Sequence, residues 1–391
     1  SRGRPMTLEQ TLQFCILVPF VGAALIPLFA SSPNLREAVT LITGAVLFTL
    51  VASIYPAVAG GAQPSVRVFE MLPGLGIVFT VEPLGMIFAA LASFLWVVTS
   101  IYSIGYMRGH DEQNQTRFYA LFAIAIGAAM GIAMAGNMLT LFIFYEVLTI
   151  STLPLVTHYG TEEAKRAGRV YLGILLGTSI AFLLFAIIWT WTLTGTLDFT
   201  QGGILAGKAD GWAAAVLLGL YVFGIGKAAL MPFHRWLPAA MVAPTPVSAL
   251  LHAVAVVKAG VFAVLKVAIY IFGIDFLATI AASKWLLYLA AATVLIASLV
   301  AMAQDNLKAR LAYSTISQLS YVIVGAMLAS DLGIIGGGMQ IAMHGFGKIT
   351  LFFCAGAFIV AAHKTEISQM KGIGRAMPFT TFAFLIGSLS S

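Results

Sequence analysis

Charge is the scarcest commodity in this chain. Of its 391 residues only 9% are Asp, Glu, Lys or Arg, against about a quarter in a soluble domain. Cysteine is nearly missing too. Cys15 and Cys354 both lie in apolar stretches and form no CxxC or Cys/His pattern, so no disulfide framework, iron–sulfur site or zinc site is read here. There is no Lys/Arg run with interleaved aromatics, which argues against nucleic acid as a partner. No long polar linker divides the chain, so one domain is expected. What is abundant is apolar surface: 60% of residues are hydrophobic. The reading is an all-α polytopic membrane protein whose core is the whole helix bundle. Its formal charge of +6 is spread over loops, where it suits topology and contact with anionic lipid heads.

Windows of roughly 20 apolar residues predict helices over 9–30, 36–58, 83–106, 117–135, 137–157, 168–195, 212–231, 246–272, 284–304, 308–329 and 334–361, with a partial twelfth from near Met377. That makes about 11 full spans. The first is not followed by a small-residue cleavage pattern and is read as retained. Residues 1–5, ahead of Met6, read as a remnant of expression or cleavage. Between the second and third spans, 62–82 is rich in Val, Phe and Ile around a central Pro-Gly and predicts a short hairpin on the exterior membrane surface. The 196–211 stretch reads as an ordinary exterior loop. Twelve basic residues, from Arg36 to Arg375, fall on the side opposite the N-terminus, against five on the N-terminal side including Arg2 and Arg4. The positive-inside rule then places the N-terminus outside.

Four charged side chains interrupt these apolar spans: Glu146, Lys227, Lys258 and Lys348. A charge at mid-bilayer costs roughly 2.5–3.5 kcal/mol on insertion scales. Such groups must face protein or water, pair with one another, or handle ions. Glu146 needs a nearby ammonium to stay charged, or serves to staple helices. Lys227 precedes Pro232 by five residues and follows Gly224 and Gly226. Proline removes a backbone donor and glycine loosens the turn, so a broken helix is expected with the lysine at the break. His252 lies six residues before Lys258, about 9 Å along a helix, a gap that bridging waters would fill. His344 is at i−4 from Lys348 and shares its face. Histidine exchanges protons near neutral pH; each of these is read either as a relay group or as a hydrogen-bonded core residue. Lys266, near a helix end, is expected to snorkel to the interface. Tyr313, Ser314, Thr315, Ser317 and Gln318 give the 308–329 span unusual polarity, suited to lining a water path or to bonding a neighbouring helix.

The segments GNMLTLFIFYEVLTISTLPLV, GIGKAALMPFHRWLPAAMVAPTPVSALLHA, LKARLAYSTISQLSYVIVG and MHGFGKITLFFCAGA resemble the antiporter-like membrane subunits of Mrp-type cation/proton antiporters, respiratory complex I and membrane-bound hydrogenases. The pattern looks closest to the D-type Mrp subunit, and the resemblance covers the chain from about residue 80. It implies leading helices over 6–110, a first five-helix repeat over 111–275, and an inverted second repeat over 276–391, each with a broken helix. It implies a Glu146–Lys227 pair, a central Lys258 and a relay lysine at Lys348. The sequence stops at FLIGSLSS, where the second helix would break, so that repeat reads as incomplete.

Three functions follow from these residues and this resemblance. One is an ion-translocating subunit of an Mrp-type Na⁺/H⁺ antiporter in a bacterial plasma membrane, working with other membrane subunits on protons and Na⁺ or K⁺. The second is the equivalent proton-pumping subunit of an NADH-quinone oxidoreductase or hydrogenase. The third is a membrane redox enzyme holding haem or quinone, for which His252 and His344 are the mid-span pair. Nothing in the sequence suggests a nucleotide or metal cofactor.

Overall fold

The computed structural model describes residues 3–391, and 77% of the chain is helical. Helix α1 runs Leu8–Leu25 with a short continuation to Phe29, and α2 runs Pro33–Ala59. Strands β1 (Ser65–Leu72) and β2 (Leu75–Thr80) form an antiparallel hairpin turned at Pro73-Gly74. Then follow α3 (Pro83–Gly109), α4 (Gln115–Ala133), α5 (Met138–Val156), α6 (Glu162–Thr194), α7 (Gly211–Gly224), α8 (Thr245–Phe272), α9 (Ala281–Ala303), α10 (Leu307–Met327), α11 (Asp331–Ala362) and α12 (Pro378–Ser390). Among the described residues nine helices are long and apolar enough to cross a membrane; α7 and α12 are shorter, and α10 carries the polar stretch.

The helix starts follow local chemistry. Thr7, Asn137, Thr161, Asp210, Asn306 and Ser330 each accept a backbone N–H of the first turn through a side-chain oxygen, which satisfies donors that a helix end otherwise leaves open. The hairpin is not free. Gly136 N donates to Val78 O at 2.8 Å, Asn137 Nδ2 to Gly76 O at 2.7 Å, and Val78 N to Thr140 Oγ1 at 3.0 Å. It therefore docks on the start of α5.

Three helices are irregular: α6 widens to a π turn over Ser179–Leu184, and the irregular parts of α7 and α8 meet in the interior. Helix α7 ends at Gly224, a single tight turn covers Gly226–Ala228, and Ala229 sits at φ +58° before the chain descends to Trp236–Ala239. The break expected from Gly224, Gly226 and Pro232 is therefore present, between residues 225 and 235. Helix α8 is buried almost throughout. It passes from α to a wide π turn at Leu250–Val254, bends at Ala255 (φ −138°), and resumes as α over Val256–Lys266. It packs against the break, α4, α5, α10 and α11. A π turn costs helix regularity and is found mostly at functional positions. The one in α8 carries His252.

Candidate functional site

Lys227 lies in the break itself. Gly224 lies against the backbone of Leu183, and Gly260 of α8 lies against the carbonyl carbon of Lys227 and the nitrogen of Ala228, so close that a Cβ at 260 would clash with both. Only glycine permits that approach. The Gly226 carbonyl accepts from Ala229 N at 3.0 Å within the turn and also from Trp236 Nε1 at 2.9 Å. Lys227 is wholly buried. Its Nζ donates to Tyr145 O at 2.8 Å and to Thr149 Oγ1, and it stands 3.4 Å from the centre of the Tyr145 ring.

The expected Glu146–Lys227 ion pair takes a different form. Glu146 takes part in none of the ion pairs within 4 Å among the described residues. The carboxylate belongs to the residue after Tyr145, whose carbonyl holds the ammonium, and its Oε1 is buried without a hydrogen-bond partner. Helix α5 thus meets Lys227 through a carbonyl and a hydroxyl, while Glu146 makes no direct bond to it.

A direct contact between α8 and α11 lies at the centre. Lys258 Nζ and His344 Nδ1 are 2.6 Å apart, both buried. The contact is satisfied whether the lysine donates or the imidazole does. His344 Nε2 is buried with no partner. One turn along α11, Lys348 Nζ donates to Ser314 Oγ of α10 at 2.8 Å. Sequence spacing placed His344 with Lys348; the bonded partners are each on another helix, because the shared face of α11 points between α8 and α10.

His252 makes no direct bond to Lys258. Its Nε2 lies 3.3 Å from Met241 Sδ and its ring stands 4.5 Å from that of Phe352. Its Nδ1 is buried and unpartnered, as are Ser248 Oγ and Thr245 Oγ1. These three positions, at i, i+3 and i+7, share one face of α8. Buried polar atoms are nearly always bonded to protein or ordered water. The stripe begins beside a cavity of about 340 Å³ that reaches Met241, Ala243 and Lys308 from the end of the bundle bearing His110 and Lys364.

Of the other polar residues on α10, Ser317 bonds Ser298 and Val294 O of α9, and Thr315 bonds its own helix. Gln318 accepts from Gln340 at 3.3 Å, and Tyr313 packs beside His234. Only Ser314 meets a site lysine.

Two lysines were misplaced by sequence reasoning. Lys266 does not snorkel: it is 1% exposed and bonded to Glu82 at 3.1 Å, because the end of α8 is enclosed by protein. Lys308, counted among the loop cations, is buried with Nζ on Ala243 O at 2.6 Å. The position of Lys266, eight residues from Lys258 on one face, was the available signal; nothing near Glu82 gave one except its place before Pro83, a helix start.

A family profile described as "NADH:quinone oxidoreductase/Mrp antiporter, TM" matches residues 135–391. The chain belongs to this family. Among relatives, it is 32% identical over 388 residues to a probable K(+)/H(+) antiporter component of Rhizobium meliloti (strain 1021), covering 97% of this chain and 38% of that protein. It is 28% identical over 381 residues to one of the NADH-quinone oxidoreductase subunits of Desulforudis audaxviator (strain MP104C), covering 94% and 75%. The chain thus spans between about two fifths and three quarters of these relatives' lengths. Among solved structures, a chain of the Mrp complex from Dietzia sp. DQ12-45-1b superposes with a TM-score of 0.87 at 24% identity, over 98% of this chain and 71% of that one. The fold is that of this family's membrane subunits, and the protein is integral to a membrane.

Proposed function

We propose that this chain is a proton- and cation-translocating subunit of a multisubunit monovalent cation/proton antiporter, moving protons along a mid-membrane relay of Glu146, Lys227, Lys258, His344 and Lys348. The observation that carries the reading is the Lys258–His344 contact, where two buried bases on different helices come within hydrogen-bonding distance. A chain built only for packing gains nothing from such a pair, since each base is costly to bury. Lys227 reaches this centre through the α8 crossing at Gly260, two residues from Lys258. His344 and Lys348 share a face, and Ser314 extends the line toward α10. The unpartnered polar atoms of Thr245, Ser248 and His252, on α8 ahead of Lys258, support a watered path between the Lys308 cavity and the centre.

In this mechanism the charge of Glu146 favours the Lys227 ammonium. When the carboxylate's charge is quenched or moved, Lys227 passes its proton through water to Lys258, which hands it across the contact to His344 and on to Lys348. We read 111–275 as a five-helix repeat and 276–391 as the part of its inverted counterpart present here. In support, α5 and α10 hold matching places, each offering a hydroxyl, Thr149 or Ser314, to a lysine. Other membrane subunits are the expected partners, and a bacterial plasma membrane with the N-terminus outside is the expected setting.

The test is Lys258→Gln in the native complex reconstituted in vesicles. Cation-driven proton flux should fall at least about tenfold, as for loss of a proton-transfer group, with assembly unchanged; Glu146→Gln and Lys227→Ala should behave alike. Wild-type flux from Lys258→Gln at matched protein amounts overturns the relay. The same side chains would serve a redox-driven pump, a reading favoured by the similarity to a component of a quinone oxidoreductase. Co-purifying iron–sulfur and flavin proteins would assign the chain there.

A further inference from the structure

We propose that Glu82 and Lys266 form a second proton-exchange station at the hairpin end of the bundle, separated from the central relay by a phenylalanine plug. The inference rests on the relay reading above and extends it to the membrane surface.

Lys258, Phe262 and Lys266 follow one another at i, i+4 and i+8 on α8, so they form a single stripe, with the two lysines about 12 Å apart along the axis. Phe262 stands between them. It is fully buried, and its ring packs on fully buried Phe88 of α3 at 5.1 Å between centres. The stripe is therefore base, apolar plug, base. Glu82 caps the start of α3, accepting from Leu84 N and Gly85 N at 2.8 Å each. It also accepts from Lys266 Nζ at 3.1 Å and from Tyr270 Oη at 3.2 Å.

The carboxylate is saturated; the ammonium is not. Of its three donors one is taken by Glu82, while the rings of Phe199 and Tyr270 face it at 4.4 Å. Phe199 lies in the loop between α6 and α7, and Tyr270 is partly exposed. A staple does not need this arrangement, since a buried ion pair is commonly matched or bettered by apolar side chains of the same volume. An exchange group does need it: a fixed anion that keeps its place while the base beside it gives up and regains a proton. In the step, the Lys266 ammonium releases its proton past Tyr270 to water, leaving a neutral amine and the Glu82 carboxylate. When Phe262 moves aside, a proton from the Lys258–His344 pair crosses by water and restores the ammonium.

The decisive variant is Lys266→Arg in the native complex in vesicles. A guanidinium keeps the positive partner of Glu82 but is not deprotonated in proteins. The proposal expects an assembled complex with cation-driven proton flux largely lost. A staple predicts near wild-type flux, and that result overturns the proposal. Phe262→Ala supplies an independent reading: it should raise passive proton leak several-fold, and Lys266→Arg added to it should abolish the leak. A leak that persists in the double variant, or no leak in Phe262→Ala alone, also overturns it. Should Lys266→Arg not assemble, the Phe262→Ala leak decides by itself. Lys258→Gln in parallel separates the two claims. If Lys258→Gln stops flux and Lys266→Arg does not, only the second station falls; if neither stops it, the relay falls too.

Discussion

Gly260 is the residue on which the site geometry turns. Alanine there would push a methyl group into the backbone of Lys227 and Ala228, which has no rotamer with which to give way. Gly260→Ala should destabilise the purified protein by about 1–3 kcal/mol, as overpacking does, and should lower flux. The control is Gly219→Ala, where nothing lies within 4 Å of the added Cβ. Equal melting temperatures in the two variants would refute the close-approach argument. Individual charges such as Lys227 and Lys258 were legible in the sequence because polarity in an apolar span is conspicuous. Their partners were not. Tyr145 O is a backbone atom, Ser314 and His344 lie on other helices, and no spacing rule reaches across helices.

At the scale of elements, the length of apolar runs recovered the long helices, and the placement of glycine and proline the hairpin and the break. The π turns in α6 and α8 escaped, since they leave no mark on composition; one of those in α8 carries His252. Loops between helices are tied by ordinary polar bonds. Asp305, between α9 and α10, accepts from Ser368 N at 2.9 Å and from Ser368 Oγ at 2.7 Å. Those hydrogen bonds hold its carboxyl below the usual range. A lowered folded-state value means the tie is complete above the ordinary carboxylate range and fades as pH falls through the lowered value. Hydrogen-exchange protection factors in residues 364–371, taken relative to the intrinsic rate at each pH, should therefore be high at neutral pH, lower in strong acid, and low at both in Asp305→Ala. Protection in that loop indifferent to both changes would show that the tie does not order it.

For the molecule as a whole, the charge asymmetry of the loops makes a claim about sidedness. The hairpin should face the exterior and the loop after α11 the cytoplasm. Both native cysteines are buried, so Ser65→Cys and Lys371→Cys, each at an exposed position, can be labelled singly in intact cells with an impermeant maleimide. The first should react and the second should not; the reverse pattern would invert the topology. Trp236 has a use of a different kind. Its indole is fully buried and bonded to the carbonyl at Gly226, next to Lys227. The break therefore carries its own fluorophore: with the other five of the chain's six tryptophans replaced, Trp236 emission would follow whether that bond is made, with no dye attached.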